Sequence, residues 1–565
     1  MPGAREARAA LVRDGVPGLL AVKDPTLWGE AAEAVAGTQL GWVDATRRAR
    51  ELLPELAELR AELTGAAGAG IAELTGAAGA AGAAGAGPTS ASPTSASLTG
   101  DVPTGDGDLH VVLAGMGGSS LAPEVLSRTL GRPLTVLDTT DPGRVRAVLA
   151  DRLERTVVVV SSKSGSTVET DSHRRAYWQT FLDAGMSEAE AGRRFVVVTD
   201  PGSPLELTGR AMGALVIPAD PEVGGRFSAL TASGLVPAAL AGVDVVELLD
   251  QAEALAPALG RDEDNPALAL GAALGAAALM GRDRVALSED GSGIEGLGGW
   301  VEQLVAESTG KGGRGLLPVV LESPTAPGAT GPDVLNVTVG GALLPGTVPG
   351  GGVPPHLAVN GPLGAQFLVW QTAVALAARI LGVNPFDQPD VAESKDNTAR
   401  ILDAGLPAAE PSFVEGAVQA YGAPGLSTVA DALRALLDGV GAGGYLAVMA
   451  YLDQVGDAAA AQLRPLLATA AGRPVTFGWG PRLLHSAGQY HKAGPQEGCF
   501  LQVTGAVTED LPVPGRRYTF GQLHAAQAAG DRQALAARGR PLLHLHLTDR
   551  AAGLDQLLTA AKAVT

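Results

Sequence analysis

The sequence predicts an α/β protein whose sheets are parallel and covered by helices on both faces. Between about residues 105 and 260, short and nearly continuous apolar runs alternate with segments of helical periodicity. Strands that are buried on both faces have such uninterrupted apolar runs, and parallel strands need a crossover between them. Two strand-to-helix turns are also small and polar, and ligands of this architecture bind where the strands end. We therefore expect two doubly wound units, preceded by a helical N-terminal segment and followed by an additional C-terminal α/β segment.

The expected strands follow from the apolar runs. In the first unit, residues 105–260, they are LHVVLAG (109–115), LTVLD (134–138), TVVVVSS (156–162), RFVVVTD (194–200) and ALVIPAD (214–220). The second unit, residues 261–410, contributes DRVALSED and LLPVVLES. The C-terminal segment, residues 411–565, contributes GGYLAVMAYLD, PVTFGWG, GCFLQVTG and PLLHLHLTD, and we expect it to pack on the second unit.

The N-terminal part divides into two stretches of different character. Residues 1–63 carry apolar residues at helical spacing among many charges, which predicts amphipathic helices. Residues 64–104 repeat the units ELTGAAGA and PTSAS. Such a composition cannot bury enough apolar surface to fix one conformation. We expect a flexible insert or linker there, without an effect on catalysis.

Composition limits the binding partners and the cellular compartment that we expect. The chain has 41 Lys and Arg against 60 Asp and Glu, a formal charge of -19, which argues against a nucleic-acid or anionic-membrane surface. The single cysteine, Cys499, excludes an intramolecular disulfide and a cysteine-based zinc site, and it fits a reducing compartment. The charged N-terminus MPGAREARAA does not resemble a signal peptide. A cytoplasmic protein with no membrane partner is expected.

Two glycine- and serine-rich turns are the first candidate site. GMGGSS (115–120) follows the first strand, and SSKSGST (161–167) follows the third. Glycines let the backbone approach an oxyanion closely, while helix N-terminal amides and hydroxyls donate to it, so the turns predict a phosphate cradle. A plain helix start is the alternative, because Ser166 and Glu169 have the spacing of a capping box.

Three further polar stretches carry charged side chains. Arg226 in EVGGRFSALTASG (222–234) could stabilise developing negative charge, or could be a surface arginine. Glu307 in AESTGKGG (306–313) could be a general base, or a solvated helix end. Gln388 and Lys395 lie seven residues apart in NPFDQPDVAESK (384–395), which is two turns of a helix.

The histidine pattern gives little support to a metal site. The one close pair, HLH at residues 544–546, is better explained by a strand in which both histidines share a face. No metal and no cofactor are expected.

Taken in chain order, GMGGSS, SSKSGSTVET, GGRFS, AESTGK and NPFDQPDVAESK resemble the motifs of the phosphoglucose isomerase family. That family is built on paired sugar-isomerase (SIS) domains, which would correspond to the first unit, with the phosphate loops, and to the second. KDPTLWG (23–29) and LLHSAGQYHKAGP (483–495) look like the isomerase half of transaldolase/phosphoglucose isomerase fusions. The motifs span residues 115 to 395.

The resemblance implies a role for each loop. Arg226 would stabilise an enediolate, Glu307 would move a proton between C2 and C1, Gln388 would contact substrate, and Lys395 would assist ring opening. It also implies a homodimer with shared active sites. The residues that would hold the sugar phosphate are Gly118, Ser119, Ser162, Lys163, Ser164 and Thr167.

The ring-opening histidine does not carry over directly. The family's GTNGQH segment, expected between Glu307 and Gln388, is absent, and His356, the one histidine in that interval, lacks the surrounding pattern. We therefore expect His491, or His485 six residues before it, to fill the role, from the same chain or from a partner subunit. A histidine satisfied within a loop is the alternative for either residue.

The resemblance implies reversible isomerisation of D-glucose 6-phosphate to D-fructose 6-phosphate through a cis-enediolate, a step of glycolysis and gluconeogenesis. Two alternatives stay open: an isomerase acting on both glucose and mannose 6-phosphates, and a SIS-domain sensor without catalysis. A sensor needs the phosphate loops but no base, so the joint presence of Glu307, Arg226 and Lys395 favours an enzyme.

Overall fold

The computed structural model describes residues 3–74, 109–343, 355–387, 391–406 and 409–565, with backbone alone for 64–74, 391, 392, 394 and 395. Helix Leu53–Leu74 extends into the predicted insert. The remainder of that insert lies outside the described residues.

The first unit is a five-stranded parallel sheet, as the apolar runs predict. All four valines of the third strand are fully buried, which explains its uninterrupted apolar run. The strands pair in the order β2-β1-β3-β4-β5. They are β1 His110–Gly115, β2 Thr135–Leu137, β3 Thr156–Ser161, β4 Phe195–Thr199 and β5 Leu215–Pro218.

The strand order of this sheet creates a crevice between β1 and β3. The chain leaves β1 toward one edge, to β2, and then returns past β1 to β3 and on toward the other edge. The loops after β1 and β3 therefore diverge, and doubly wound sheets bind their ligands at such a switch point. Both serine-rich loops of the sequence lie here.

The second sheet has four parallel strands in the order β7-β6-β8-β9. The sequence predicts β6 and β7, whereas β8 and β9 were not predicted and are seen in the structure. The strands are β6 Arg284–Glu289, β7 Leu317–Val320, β8 Val334–Gly340 and β9 Leu357–Asn360. The prediction of an α/β fold with parallel sheets is confirmed.

The third sheet has six strands in the order β10-β11-β15-β14-β12-β13. Strand β11 runs antiparallel to β10 and β15, and the other pairs are parallel. Leu317 and Val319 of β7 share a buried apolar cluster with Tyr445 and Phe500 of this sheet, so it packs on the second sheet. The strands are β10 Phe413–Glu415, β11 Val418–Tyr421, β12 Tyr445–Tyr451, β13 Val475–Trp479, β14 Gly498–Gly505 and β15 Leu542–Leu547.

Helices surround the three sheets. The N-terminal ones are α1 Ala4–Arg13, α2 Val16–Ala21, α3 Glu30–Ala36, α4 Ala45–Ala49 and α5 Leu53–Leu74. Those of the first unit are α6 Leu121–Thr129, α7 Pro142–Ala150, α8 Val168–Asp183, α9 Glu188–Gly192, α10 Pro204–Ala211, α11 Ala232–Leu240 and α12 Val245–Leu259. Those of the second are α13 Pro266–Leu279, α14 Leu297–Thr309, α15 Leu363–Leu381 and α16 Val391–Ala404. The C-terminal ones are α17 Val429–Asp438, α18 Leu463–Ala471, α19 Gly488–Ala493, α20 Phe520–Ala537 and α21 Arg550–Ala563.

Helix α15 is the one helix, within the described residues, whose length and composition would allow it to cross a membrane. Of its apolar window, 89% is buried inside the structure. It packs in the largest apolar cluster, where Phe367 and Trp370 are fully buried, and a core helix meets the same test of length and apolarity.

Candidate active site

The loop after β1 packs against the turn that carries Arg226. A Cβ atom on Gly118 would lie 2.0 Å from the carbonyl oxygen of Gly225, so only glycine permits this approach. The neighbouring Ser119 is 8% exposed at the carboxyl end of the strand. Close packing of these backbones thus brings the first serine loop beside the arginine.

The loop after β3 presents its hydroxyls at the same sheet edge. Ser162, 3% exposed, lies with its Oγ 2.9 Å from Thr167 Oγ1. Ser164 Oγ lies 3.0 Å from Ser166 Oγ, on the more exposed side of the loop. Two pairs of hydroxyls therefore lie at the N-terminus of helix α8, whose free backbone amides favour an anion.

The capping-box interpretation of this loop is wrong. Helix α8 begins at Val168, so Thr167 is its N-cap, and no side chain there makes a capping hydrogen bond. Glu169 is instead buried at 4% exposure, and its Oε1 accepts a hydrogen bond of 2.6 Å from Gln527 Nε2. Since Glu169 bonds another segment of the chain, its role is tertiary rather than local.

Lys163 is already engaged within the loop. Its Nζ donates to both carboxylate oxygens of Asp200, at 2.9 and 2.8 Å, and to the carbonyl oxygen of Asp220 at 3.0 Å. Burial raises the pKa of the Asp200 carboxyl, and the Lys163 ammonium acts against that rise. Lys163 lines the cavity, but its charge is shared with Asp200.

Arg226 and Glu307 form a buried ion pair. Arg226 Nη1 lies 3.3 Å from Glu307 Oε2, and the two side chains are 3% and 5% exposed. Arg226 Nε also donates to Ser308 Oγ at 2.9 Å, and Gln303 Nε2 lies 3.3 Å from Glu307 Oε1. Helix α14 thus presents the carboxylate, and its neighbours fix the orientation of the guanidinium.

Burial shifts the pKa values of both partners in the directions that favour their neutral forms. It raises the pKa of the Glu307 carboxyl, although Arg226 and the Gln303 amide oppose the rise. It lowers the pKa of Arg226, against the attraction of Glu307. Of the two, the carboxylate is the group that can exchange a proton near neutrality, because a guanidinium stays protonated in proteins.

The NPFDQ segment closes over Arg226. The guanidinium donates to the carbonyl oxygens of Pro385 and Asp387. Lys311 Nζ in turn binds Asp387 Oδ1 at 2.6 Å, and burial lowers the pKa of that ammonium to about 8. Gln388, the predicted substrate contact, lies outside the described residues.

Lys395 is described through its backbone, in helix α16. Asp396 and Thr398 of that helix line a second cavity of about 280 Å³, which shares Thr167 and His485 with the active cavity, the one that Arg226 and Glu307 line. Helix α16 therefore lies at the cavity next to the one that holds Glu307.

His485, rather than His491, reaches the cavity. His485 Nε2 lies 3.1 Å from Glu169 Oε1, and its ring lines the same cavity as Arg226 and Glu307. The residue belongs to the same chain, so no partner subunit is needed to supply a histidine.

His491 lies in the core of the third sheet. Its ring stacks on Tyr445 at 6.1 Å and meets the edge of Phe500 at 5.3 Å. Burial lowers the pKa of the imidazole to about 3, and neither ring nitrogen has a hydrogen-bond partner in the described part of the chain. The structure does not bring His491 to the cavity. The contacts of its ring with Tyr445 and Phe500 indicate that the residue serves packing.

Ion pairs hold the segment that carries His485 against the first sheet. Arg482 Nη1 lies 2.9 Å from the fully buried Asp138 Oδ2, and Arg482 also pairs with Glu124 of α6. Ser486 Oγ donates to Glu302 Oε1 of α14 at 3.0 Å. No local sequence pattern indicates these anchors, because they join residues more than 180 positions apart.

The cavity between these elements has a volume of about 330 Å³. We call the part lined by the hydroxyls of the two serine-rich loops its serine end, and the part lined by Arg226, Glu307 and His485 its proton-transfer end. Such a site can bind a phosphate at the serine end and exchange protons at the other. Its lining residues are Met116, Gly117, Gly118, Ser119, Ser161, Ser162, Lys163, Ser164, Thr167, Asp200, Gly225, Arg226, Gln303, Glu307 and His485.

Comparison with known proteins points to one family. The model of the family "Phosphoglucose isomerase" matches residues 97–314. The glucose-6-phosphate isomerase of Rubrobacter xylanophilus is 30% identical over 359 residues, which cover 51% of this chain and 82% of that protein. The glucose-6-phosphate isomerase of a Cyanothece strain is 36% identical over 214 residues, or 36% of this chain and 40% of that protein.

Coverage of other relatives is partial. The matched part spans 48% of a Haloarcula marismortui relative and 49% of a Natronomonas pharaonis relative, so the chain spans about half the length of these curated proteins. The solved glucose-6-phosphate isomerase of Chlamydia trachomatis is 21% identical, with a TM-score of 0.45, over 53% of this chain and 71% of that chain. On the identity to the Rubrobacter xylanophilus protein across most of its length, this chain belongs to the phosphoglucose isomerase family.

Proposed function

We propose that the chain interconverts D-glucose 6-phosphate and D-fructose 6-phosphate through a cis-enediolate. One observation carries the proposal: a buried carboxylate, Glu307, faces a guanidinium, Arg226, in the cavity that the two hydroxyl-rich loops also line. A sugar-phosphate sensor needs the loops alone, whereas an isomerase also needs a base and a cation beside the reacting carbons. Membership of the family supports the same activity.

The phosphate group binds at the serine end of the cavity. Ser119, Ser162, Ser164 and Thr167 offer hydroxyls there, and Gly118 allows a close approach of the backbone. Lys163 contributes a positive charge that Asp200 partly balances. Binding energy gained at this end is remote from the reacting carbons, and it orients C1 and C2 toward Glu307.

Glu307 takes the proton from C2 and returns it to C1. Its raised pKa makes it a stronger base than an exposed carboxylate, at the cost of needing a higher pH to be ionised. Arg226 lies 3.3 Å from that carboxylate and stabilises the negative charge of the enediolate. Gln388 contacts the substrate in this scheme.

His485 opens the sugar ring. Its Nε2 is held by Glu169, so that nitrogen carries the N–H and Nδ1 is left as the acceptor. An acceptor of this kind can take the proton of the O1 hydroxyl while Lys395 donates a proton to the ring oxygen, so that the bond between C1 and the ring oxygen breaks as the C1 carbonyl forms. Glu169 is a positioning residue, held in turn by Gln527.

The setting of the reaction is part of the same proposal. We infer a cytoplasmic homodimer that acts in glycolysis and gluconeogenesis. Since His485 reaches the cavity of its own chain, the partner subunit need not supply the ring-opening histidine. Light scattering at assay concentration tests the dimer, and a fully active monomer would remove it from the proposal.

A coupled assay tests the function. The protein is offered glucose, mannose and glucosamine 6-phosphates in turn, with and without a chelator. We expect turnover of glucose 6-phosphate to fructose 6-phosphate that the chelator does not change. Equal turnover of mannose 6-phosphate would show a dual-specificity enzyme, and binding of all three sugars without turnover would show a sensor.

A further inference from the structure

A third cavity, of about 460 Å³, lies within the C-terminal segment. It opens between helix α20 and one face of strands β11, β14 and β15, and it shares no lining residue with the active cavity or with the cavity beside His485. Its volume falls in the range of sites for small metabolites, roughly 300–1,000 Å³.

The lining of this cavity carries a guanidinium and imidazoles among apolar residues, in a chain that is acidic overall. Arg532 and three histidines, His524, His544 and His546, contribute to it, and none of its lining residues in the described part of the chain carries a carboxylate. Asp531, the neighbour of Arg532, pairs instead with Lys492 Nζ at 2.8 Å.

Arg532 differs in its partners from three other arginines of the interior. Arg226, Arg464 and Arg482 each pair with a carboxylate. Arg532 forms no ion pair within the described residues, and its hydrogen bond there goes to the amide oxygen of Gln502. A guanidinium has five N–H donors in a planar fork, so most of them stay available to an oxyanion.

The two histidines of β15 add a neutral donor. Thr504 Oγ1 lies 2.9 Å from His544 Nε2 and 2.8 Å from His546 Nδ1. A hydroxyl has one hydrogen, so it donates to at most one of the two rings, and a neutral ring that accepts from it carries its N–H on the opposite nitrogen. Burial, and then the Arg532 guanidinium, lower the pKa of both imidazoles, so the fixed charge of the cavity is that of Arg532.

A stacked pair of aromatic rings also belongs to the lining of this cavity. The rings of Tyr421 and His544 stack at 4.9 Å with an interplanar angle of 20°, as cross-strand neighbours of β11 and β15. Both residues line the cavity. The stack offers an apolar face to the carbon skeleton of a ligand whose charged group meets Arg532.

We propose that this cavity is a second binding site, for a small anionic metabolite whose oxyanion, a phosphate or a carboxylate, is bound by Arg532. The site is separate from the one proposed for the sugar phosphate. Helix α20 lies between this cavity and the cavity beside His485, because it supplies Arg532 to the first and Gln527 to the second.

Calorimetric titration tests the proposal, with inorganic phosphate as one probe and malonate as the other. The background is the double variant Ser162→Ala, Thr167→Ala, in which phosphate binding at the active cavity is weakened. We expect one site per chain for at least one probe, and the probe that binds identifies the oxyanion. Adding Arg532→Gln should weaken that binding about 10- to 100-fold, the loss expected for charge-assisted hydrogen bonds.

Two further variants complete the test. Arg434→Gln is the matched control, because Arg434 is 54% exposed and pairs with Asp431 on the surface helix α17, so binding should be unchanged. Gln533→Glu places a carboxylate on the exposed rim of the cavity and should weaken binding even if Arg532→Gln fails to fold. No binding of either probe, or equal binding in Arg532→Gln and Arg434→Gln, would overturn the site. The assay of glucose 6-phosphate turnover does not depend on this second site. The proposed function and the proposed second site can therefore be refuted independently.

Discussion

The serine-rich end and the proton-transfer end of the active cavity are built in different ways. The serine end comes from two loops that follow adjacent strands of one sheet, β1 and β3, and local sequence determines it. The other end gathers Arg226, Glu307 and His485 from three separate parts of the chain, held together by buried charges. Binding should therefore tolerate changes that abolish chemistry, and chemistry should depend on contacts far apart in sequence.

The largest expected effect is at Glu307. Glu307→Gln keeps a hydrogen-bond acceptor for Arg226 but removes the base, so kcat should fall about 10³-fold, while sugar-phosphate binding stays close to wild type. Steady-state kinetics and a binding titration measure the two quantities. Glu302→Gln on the same helix is the control, and a similar loss there would mean that the helix, rather than the base, had been damaged.

Replacement of the two C-terminal histidines separates chemistry from packing. His485→Ala should lower kcat about 10²-fold, since general acid–base assistance to ring opening is lost. His491→Ala should keep kcat but lower the free energy of unfolding by about 2–4 kcal/mol, because it leaves a cavity between Tyr445 and Phe500. The reverse pattern would restore His491 as the ring-opening residue.

At the serine end, the double variant Ser162→Ala, Thr167→Ala should act mainly on binding. Loss of the hydroxyls should raise KM about tenfold, with a smaller fall in kcat as the substrate is oriented less well. Ser166→Ala tests the alternative interpretation as a helix cap. Since Thr167 is the N-cap, that single change should leave the melting temperature as it is, and a clear drop would contradict the cradle.

Gln527 tests whether His485 needs an oriented partner. Gln527→Leu removes the donor to Glu169 and should lower kcat about three- to tenfold. The loss should appear with the cyclic sugar and should disappear with a substrate already in open-chain form. An equal loss with both substrates would indicate general damage to the fold.

The smallest effect concerns the anchor between Ser486 and Glu302. Burial raises the pKa of the Glu302 carboxyl from 4.5 to about 7. The folded state therefore binds a proton that the unfolded state releases between these values, and stability falls as pH rises through that window. Glu302→Gln removes this loss, so its free energy of unfolding should match that of wild type near pH 4.5 and exceed it at pH 8 by about 1–2 kcal/mol, after allowance for partial exposure. No difference between the two pH values would contradict the raised pKa.

The contrast between the two ends also explains what the sequence could predict. Strands β1 to β5 and the loops after β1 and β3 follow from apolar runs and turn residues, which are local signals. Strands β8 to β11 and the role of Glu169 were missed, and the spacing of Ser166 and Glu169 misleadingly suggested a cap. Glu169 bonds His485, more than 300 positions away, and no periodicity reports a contact of that kind.

His485 was found only as an alternative to His491, for a related reason. Both lie in one motif six residues apart, and the choice between them depends on how the C-terminal segment docks on the first sheet. Arg482 fixes that docking through Asp138 and Glu124, two carboxylates of the first unit. Burial and ion pairing of these residues are tertiary properties that a single sequence does not display.

Proton exchange at C2 tests the central claim most directly. Wild-type protein is incubated with glucose 6-phosphate in D₂O, and the products are followed by NMR beside Glu307→Gln. We predict fructose 6-phosphate with deuterium at C1, and solvent deuterium at C2 of the recovered glucose 6-phosphate, both lost in the variant. Exchange that persists in Glu307→Gln would contradict the assignment of the base, and wild-type protein that binds the sugar without any exchange would contradict the proposed isomerase.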